Sequence, residues 1–342
     1  MRKYLSWTLL FAASLAAVPA IPVIIGRSGA DNAAKKVSKA AKDGIYTAEV
    51  HEDEPYRVLD VSTGEVIEVS PHDYVVGAVC AEMPATFEEE ALKAQAAAAH
   101  TYAERQRMRE RKEPHAELCG ADFSNDTTKY QGYFTENQAK QYYGENFDMN
   151  YKKITKAAEE VLDYVITYED EPIIPAFHSM SAGTTESAEN MWGAAVDYLV
   201  PVESSFDTEA PKYLSEVKYE RDVLKNELET AFPDISAEGE VSEWVKPVQT
   251  SASGTVLTAE VCGKAVTGSE LRNALSLRSA CFTVKAEGDA LVFTTKGFGH
   301  CVGMSQYGAN AMAAQGSTWQ EILMHYYPGC EIRKLEIAEK MW

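Results

Sequence analysis

The sequence predicts an α+β fold, with mixed helices and antiparallel strands behind an N-terminal transmembrane anchor. Three observations predict it. Apolar and polar residues alternate on both sides of Ser62-Thr63-Gly64, two capped helical patterns abut at Pro84, and short strand-like runs between Trp244 and Phe293 lead into a glycine-rich turn with two more helical patterns. At 342 residues with ordinary apolar content, the chain can bury a full core as one large domain or two closely associated ones.

The first 30 residues begin MRKYLSWTLLFAASLAAVPAIPVIIGRSG, in which Arg2 and Lys3 precede an apolar run from about Leu5 to Ile25. About 20 apolar residues cross a hydrocarbon core. The two cations place the N-terminus in the cytoplasm and the bulk of the chain outside it, at the cell membrane. A cleaved signal peptide, with Val18, Pro19 and Ala20 at the cut, is the rival reading, but the run continues past Ala20. Residues 31–55 are polar and mixed in charge and read as a linker; the folded domain then covers 56–335. A formal net charge of −20 excludes a sequence-wide attraction to nucleic acid. The six cysteines (Cys80, Cys119, Cys262, Cys281, Cys301 and Cys330) have no CxxC spacing and form no disulfide framework. Each reads first as a small buried hydrophobe.

Within the domain, strands near Arg57–Val61 and Glu65–Val69 form a hairpin. Ser70-Pro71-His72-Asp73 supplies an N-cap, a proline at the first helical position and an acid in the first turn. Pro84 disfavours helical geometry at Met83, so this helix stops around Glu82. Thr86-Phe87-Glu88-Glu89 has capping-box spacing for a second helix, whose Leu92, Ala96, Ala99 and Ala103 form a narrow small-residue face. The glutamates are thereby separated. Glu88, Glu89 and Glu90 fall in a first turn, where the helix dipole favours their charge and they read as solvated acids. Glu82 falls at the negative end of an apolar helix, where burial and dipole both favour the protonated carboxyl needed by a general acid.

Further along, FHSMSAGTTESAENMW (Phe177 to Trp192) crowds hydroxyls, a histidine and an indole into a stretch without periodicity in its first half. It reads either as the lining of a polar binding site or as a surface turn over a buried tryptophan. Tyr213 to Phe232 has helical spacing and heavy charge and is expected to be a helical, partly exposed insertion. In Gly297 to Cys330 the glycines turn the backbone tightly around His300; Ser305 to Ala314 is helical, and Ser317-Thr318-Trp319-Gln320 caps a last helix. Neither GxGxxG nor GxxxxGK is present, which removes nucleotide binding.

Four stretches in order, AEMPATFEEEALKAQAAAAHTYA, HSMSAGTTESAENMW, LRNALSLRSACF and GHCVGMSQYGANAMAAQG with its following ILMHYYPG, make the chain resemble the stage II sporulation protein D family from about Arg57 to Ile332, with a variable insertion near 213–258. The resemblance implies a membrane-anchored peptidoglycan lytic transglycosylase, in which strands and helices surround a glycan-binding groove, acting in forespore engulfment. It also implies stage II sporulation proteins P, an amidase, and M as partners. The alternative within the family is a noncatalytic peptidoglycan-binding enhancer of a cell-wall amidase.

Carried onto this chain, the resemblance makes Glu82 the catalytic residue. It makes Lys93, Gln95, His100 and Tyr102 substrate-binding, with His178, Ser179, Ser181, Ser187, Glu189 and Trp192 as an opposite wall and His300 and Gln306 as a third. Lys93 is the local cation expected to answer an acidic polymer. His100 stands where the family commonly has arginine, and Cys301 where it usually has glycine, which puts the local turn in doubt. Some relatives bind zinc after the long helix through one histidine and two cysteines. Here Cys119, Ser124 and Tyr130 fall at the ligand positions, so neither zinc nor another cofactor is expected, even with His115 nearby. A cysteine hydrolase pairing Cys80 or Cys301 with His178 or His300 is a third class, for which nothing supplies the nucleophile's context.

Overall fold

In a computed structural model the described residues are 45–48 and 54–337. The expected anchor at 1–30 and most of the linker lie outside them. Among the described residues no helix is long and apolar enough to cross a membrane. The folded chain separates into two compact units, one made of 45–48, 54–86, 95–174 and 330–337, the other of Phe87–Ala94 and Pro175–Gly329. Both mix helices with antiparallel strands, as the sequence predicts.

The first unit opens with β1 (Ile45–Ala48) and the expected hairpin, β2 (Tyr56–Asp60) and β3 (Glu65–Val69), in register from Tyr56 opposite Val69 to Asp60 opposite Glu65. Helix α1 (Pro71–Glu82) follows at once, with the Ser70 side chain accepting from the Asp73 N–H. It is apolar on nearly every side and accordingly buried from Tyr74 to Cys80. Helix α2 (Glu89–Lys112) is buried on all faces from Ala91 to Thr101, which small side chains permit. The sequence suggested only a narrow buried face. Strand β4 (Phe123–Ser124) adds parallel to β2, helices α3 (Glu136–Tyr143) and α4 (Phe147–Glu159) pack on α1, and β5 (Tyr164–Tyr168) pairs with β6 (Glu171–Pro172).

The second unit contains β7 (Phe177–His178), α5 (Ala188–Trp192), β8 (Leu214–Glu220) and α6 (Arg221–Ala231). These are followed by β9 (Val245–Thr250), β10 (Val256–Val261), β11 (Lys264–Thr267), α7 (Gly268–Ala274), β12 (Phe282–Ala286) and β13 (Ala290–Lys296). Strand β14 (Met304–Ser305), α8 (Gln306–Ala314) and α9 (Trp319–Tyr326) complete it. Two three-stranded antiparallel sheets, β11-β10-β9 and β12-β13-β8, enclose a core of Leu224, Trp244, Val261, Leu271 and Phe293. The chain returns to the first unit as β15 (Glu331–Ile337), antiparallel to β5 and parallel to β1.

Two expectations are corrected. Tyr213 to Phe232 is not helical throughout, because Leu214–Glu220 is a strand paired with all of β13. Ser215, Val217 and Tyr219 alternate inward, and seven paired residues outweigh a helical spacing that holds only from Arg221 onward. The second helix starts three residues after Thr86, at Glu89, without the Thr86 capping box; the Glu88 N–H donates instead to Asn310 Oδ1 at 2.7 Å. A side chain 222 residues away thus does what the local motif suggested a neighbour would.

Candidate functional site

Glu82 is the last residue of α1, and Pro84 explains why: Met83 is extended, at φ −124° and ψ 137°, where a helix cannot continue. The carboxyl is half-buried. Burial pushes it up to about 7, while a hydrogen bond from the Gly132 N–H pulls the other way. A Cβ at position 132 would stand 3.7 Å from Glu82 Oε1, an ordinary contact distance. The segment carrying Gly132 is held by tyrosines. The Gln131 N–H donates to Tyr102 Oη at 3.2 Å, and Tyr74 Oη donates to Gln131 Oε1 at 3.2 Å. Nothing local to Gln131 and Gly132 in the sequence signals that they reach Glu82.

The other predicted residues of this unit lie deeper. Gln95 is fully buried in α2. His100, 2% exposed, has Nδ1 2.9 Å from the Tyr164 carbonyl and Nε2 3.5 Å from Glu104 Oε1, in a buried network with Arg107. Those charged partners hold the Glu104 carboxyl at about 2 despite its burial. His100 is therefore enclosed among internal partners. His115 is bound to Glu110, with Nδ1 at 2.7 Å from Oε2, and among the described residues no group of three or more His, Cys, Asp or Glu is placed to hold a metal ion.

In the second unit, β7 and β14 run side by side and bring His178 against the glycine turn. Gly299 has φ +112°, and a Cβ there would lie 2.8 Å from His178 Cβ; at Gly303, with φ +71°, it would meet the Ala176 carbonyl oxygen at 2.0 Å. Cys301 has φ +65°, so the turn keeps its left-handed residue without the glycine the family usually places there. The rings of His178 and His300 meet edge-on at 5.7 Å, and Trp192 lies 5.6 Å from His300.

The two imidazoles are complementary tautomers. His178 Nδ1 donates to the Val302 carbonyl (3.1 Å), whereas His300 Nδ1 accepts from the Val302 N–H (3.0 Å). Both Nε2 atoms are buried outside hydrogen-bonding geometry with any described residue. Burial pushes both rings down in pKa, opposed at His178 by Asp207 and reinforced at His300 by His178 and Arg272. They are neutral donors and acceptors at physiological pH, not cations.

Most of the hydroxyls expected on this wall have internal work. Ser181 donates through N–H and Oγ to Asp207 Oδ2 at 2.7 and 2.6 Å, and Ser305 Oγ donates to Asp207 Oδ1 at 2.6 Å. Asp207, fully buried, is the hub that the sequence did not reveal. Ser187 caps α5, accepting from the Asn190 N–H. Ser179 is half-buried and its carbonyl accepts from the Tyr307 N–H; Gln306 is buried at the start of α8, and Glu189 is exposed. Lys93 is paired, 2.8 Å from Glu90 and 3.5 Å from Glu89, and Glu90 also accepts from the Trp319 N–H. Glu90 is thus a structural acceptor, not simply a solvated acid. All six cysteines are free; burial pushes the Cys80 thiol up to about 11, which disfavours a thiolate there.

Fold and site together define an α+β protein with one tuned carboxyl in one unit and a cluster of neutral imidazoles, indole and hydroxyls in the other. Residues 60–168 match the family model described as Stage II sporulation protein. The chain is 35% identical to Stage II sporulation protein D of Bacillus subtilis (strain 168) over 90% of this chain and 88% of the relative. It is 37% identical to the protein of that name from Bacillus amyloliquefaciens over 82% and 78%. The amidase enhancer of Bacillus subtilis (strain 168) is 28% identical, over 74% of this chain and 39% of that protein. The chain belongs to the stage II sporulation protein D family.

Proposed function

We propose that this protein is a lytic transglycosylase that cuts peptidoglycan glycan strands during sporulation, with Glu82 as both acid and base. The observation that carries the reading is the Glu82 carboxyl, half-buried at a helix C-terminus with its pKa pushed to about 7. Near neutral pH such a group is divided about evenly between acid and base, the condition for doing both jobs in one turnover. Protonated Glu82 gives its proton to the oxygen linking N-acetylmuramic acid to N-acetylglucosamine as the C1–O bond breaks. The carboxylate then takes the proton of the muramic 6-hydroxyl as that oxygen bonds to C1, closing a 1,6-anhydro ring. Because the nucleophile belongs to the substrate, no second carboxylate is needed to activate water.

Tyr102 and Gln131 hold the segment whose Gly132 N–H stabilises the carboxylate that forms. Neutral His178 and His300 with Trp192 suit the hydroxyls and ring faces of a sugar in a glycan-binding groove. These steps use no metal or cofactor. The reading places the domain outside the cytoplasm, tethered by the apolar N-terminal run, where stage II sporulation proteins P and M are the expected partners.

The test is digestion of purified peptidoglycan by the parent protein and Glu82→Gln, with mass spectrometry of released glycans. The parent should release anhydromuramic ends, and the variant should be slower by at least about 100-fold. A second reading is favoured by the likeness to an amidase enhancer. If neither protein releases glycans and the parent accelerates an amidase on the same wall, that reading replaces the first.

A further inference from the structure

Two of the free cysteines meet. Cys281 stands just before β12, and Cys301 follows His300 in the glycine turn. The backbone lays the two segments side by side: the Lys296 N–H donates to the Cys281 carbonyl at 2.8 Å, Ser279 Oγ to the Lys296 carbonyl at 2.6 Å, and the Gly299 N–H to the Arg278 carbonyl at 2.9 Å. The thiols are hydrogen-bonded to each other, and Thr255 Oγ1 lies 3.3 Å from Cys281 Sγ. Both residues are enclosed, Cys281 at 3% and Cys301 at 2% exposure.

Packing alone accounts poorly for this pair. A buried cysteine serves as a small hydrophobe in any ordinary backbone conformation, but Cys301 has φ +65°, in the left-handed region where a side chain is strained. Such strain persists where the surroundings hold it. The Glu186 N–H fixes the Cys301 carbonyl at 2.7 Å, and the side chain carried by this strained backbone meets Cys281. The hydrogen bond with Cys301 lowers the pKa of the Cys281 thiol against the opposing effect of burial, which favours the thiolate that attacks a disulfide.

We infer that Cys281 and Cys301 are a redox site, which closes into one disulfide when an external disulfide accepts their two electrons. The Cys281 thiolate attacks one sulfur of that disulfide, displacing a thiolate and leaving a mixed disulfide on Cys281. The Cys301 thiolate then attacks the Cys281 sulfur and displaces the second thiolate. Two protein S–H bonds are lost and one S–S bond forms; the external disulfide is reduced to two thiols, which take up the two protons. Because both cysteines are enclosed, the exchange belongs to the folding chain, before the turn closes. The bond ties the His300 turn to the start of β12 and stiffens the wall that carries His178, His300 and Trp192. Pairing needs only an external disulfide; that the cell supplies one rests on the proposed placement outside the cytoplasm.

The experiment refolds the full-length chain, reduced and unfolded, with oxidised glutathione, then unfolds it with an alkylating reagent and maps its peptides by mass spectrometry. The Cys281 and Cys301 peptides should be recovered joined, two hydrogens lighter than their sum. A different pairing, or alkylation of both thiols, overturns the inference. The joined form should melt about 5 °C above the chain refolded with reductant. Cys301→Gly, which suits the left-handed turn and so keeps the fold, should melt alike after either refolding. An equal difference in parent and variant overturns the inference, as does none in either. Mapping the chain taken from cells, with thiols blocked at lysis, tests the placement separately. A joined pair there supports both readings; a pair free in the cell but joined on refolding leaves the redox site standing and removes the placement outside the cytoplasm.

Discussion

The neighbourhood of Glu82 and the turn around His300 manage polarity in opposite ways. At Glu82 the fold leaves one carboxyl half-buried, accepting from the Gly132 N–H, and its charge changes near neutral pH. Around His300 the carboxylate and hydroxyls are committed and the imidazoles are held at one nitrogen each: Asp207 binds two serines, Ser187 caps a helix, and both neutral rings are braced through Nδ1 on Val302. The first arrangement makes a group that changes protonation during a reaction. The second makes a rigid surface, in which most side chains act by holding others in place.

If that contrast is correct, its largest structural consequence belongs to Asp207. Removing it by Asp207→Ala strands the Ser181 N–H and two serine hydroxyls in a buried site, and should cost about 3 kcal/mol of stability. Urea unfolding followed by tryptophan fluorescence measures it. A loss under about 1 kcal/mol would mean that the turn is not organised around this carboxylate.

Glu82 offers a smaller effect with a diagnostic pH dependence. Its folded pKa, about 7, lies above the ordinary 4.5, so the folded state binds more protons than the unfolded state between those values. Stability of the parent should therefore fall as pH rises through that window and level off above pH 7. Glu82→Gln carries no such proton and should gain on the parent across the same window, by on the order of 2 kcal/mol after allowing for partial solvent screening. Melting both proteins from pH 4 to pH 8 checks the sign. A gap that does not change with pH would show that the carboxyl is not desolvated, and would remove the basis for its dual role.

Glu82 was legible because its signals are local: an apolar helix, a proline two residues on, and the geometry that proline forbids at Met83. The hairpin, α1, α8 and α9 were legible for the same reason, since caps and alternation act over a few residues. What escaped depends on distant partners. Asn310 begins α2 in place of Thr86, β13 draws 214–220 into a strand, and Asp207 acquires its role only when 181 and 305 converge on it. His100 and Lys93 show the same limit from the other side. Their residue types suggested substrate contacts, but Tyr164, Glu104 and the Glu89–Glu90 pair occupy them.

Ser187 gives the most exacting test, because its two readings predict different observables. As a wall residue it would contact the glycan, and Ser187→Ala would weaken wall binding without changing stability. In the structure its oxygen accepts from the Asn190 N–H at 3.2 Å, the geometry of an N-cap, and its own N–H donates to the buried Glu186 at 2.8 Å. Alanine retains the second bond and loses the first, so the expected cost is about 1 kcal/mol of stability. Ser187→Asp restores a capping oxygen and should recover most of it. Binding to sacculi should follow stability in both variants. If instead Ser187→Ala melts like the parent but binds less, then α5 presents its first residue to the substrate, and the turn around His300 is less self-contained than its hydrogen bonds make it.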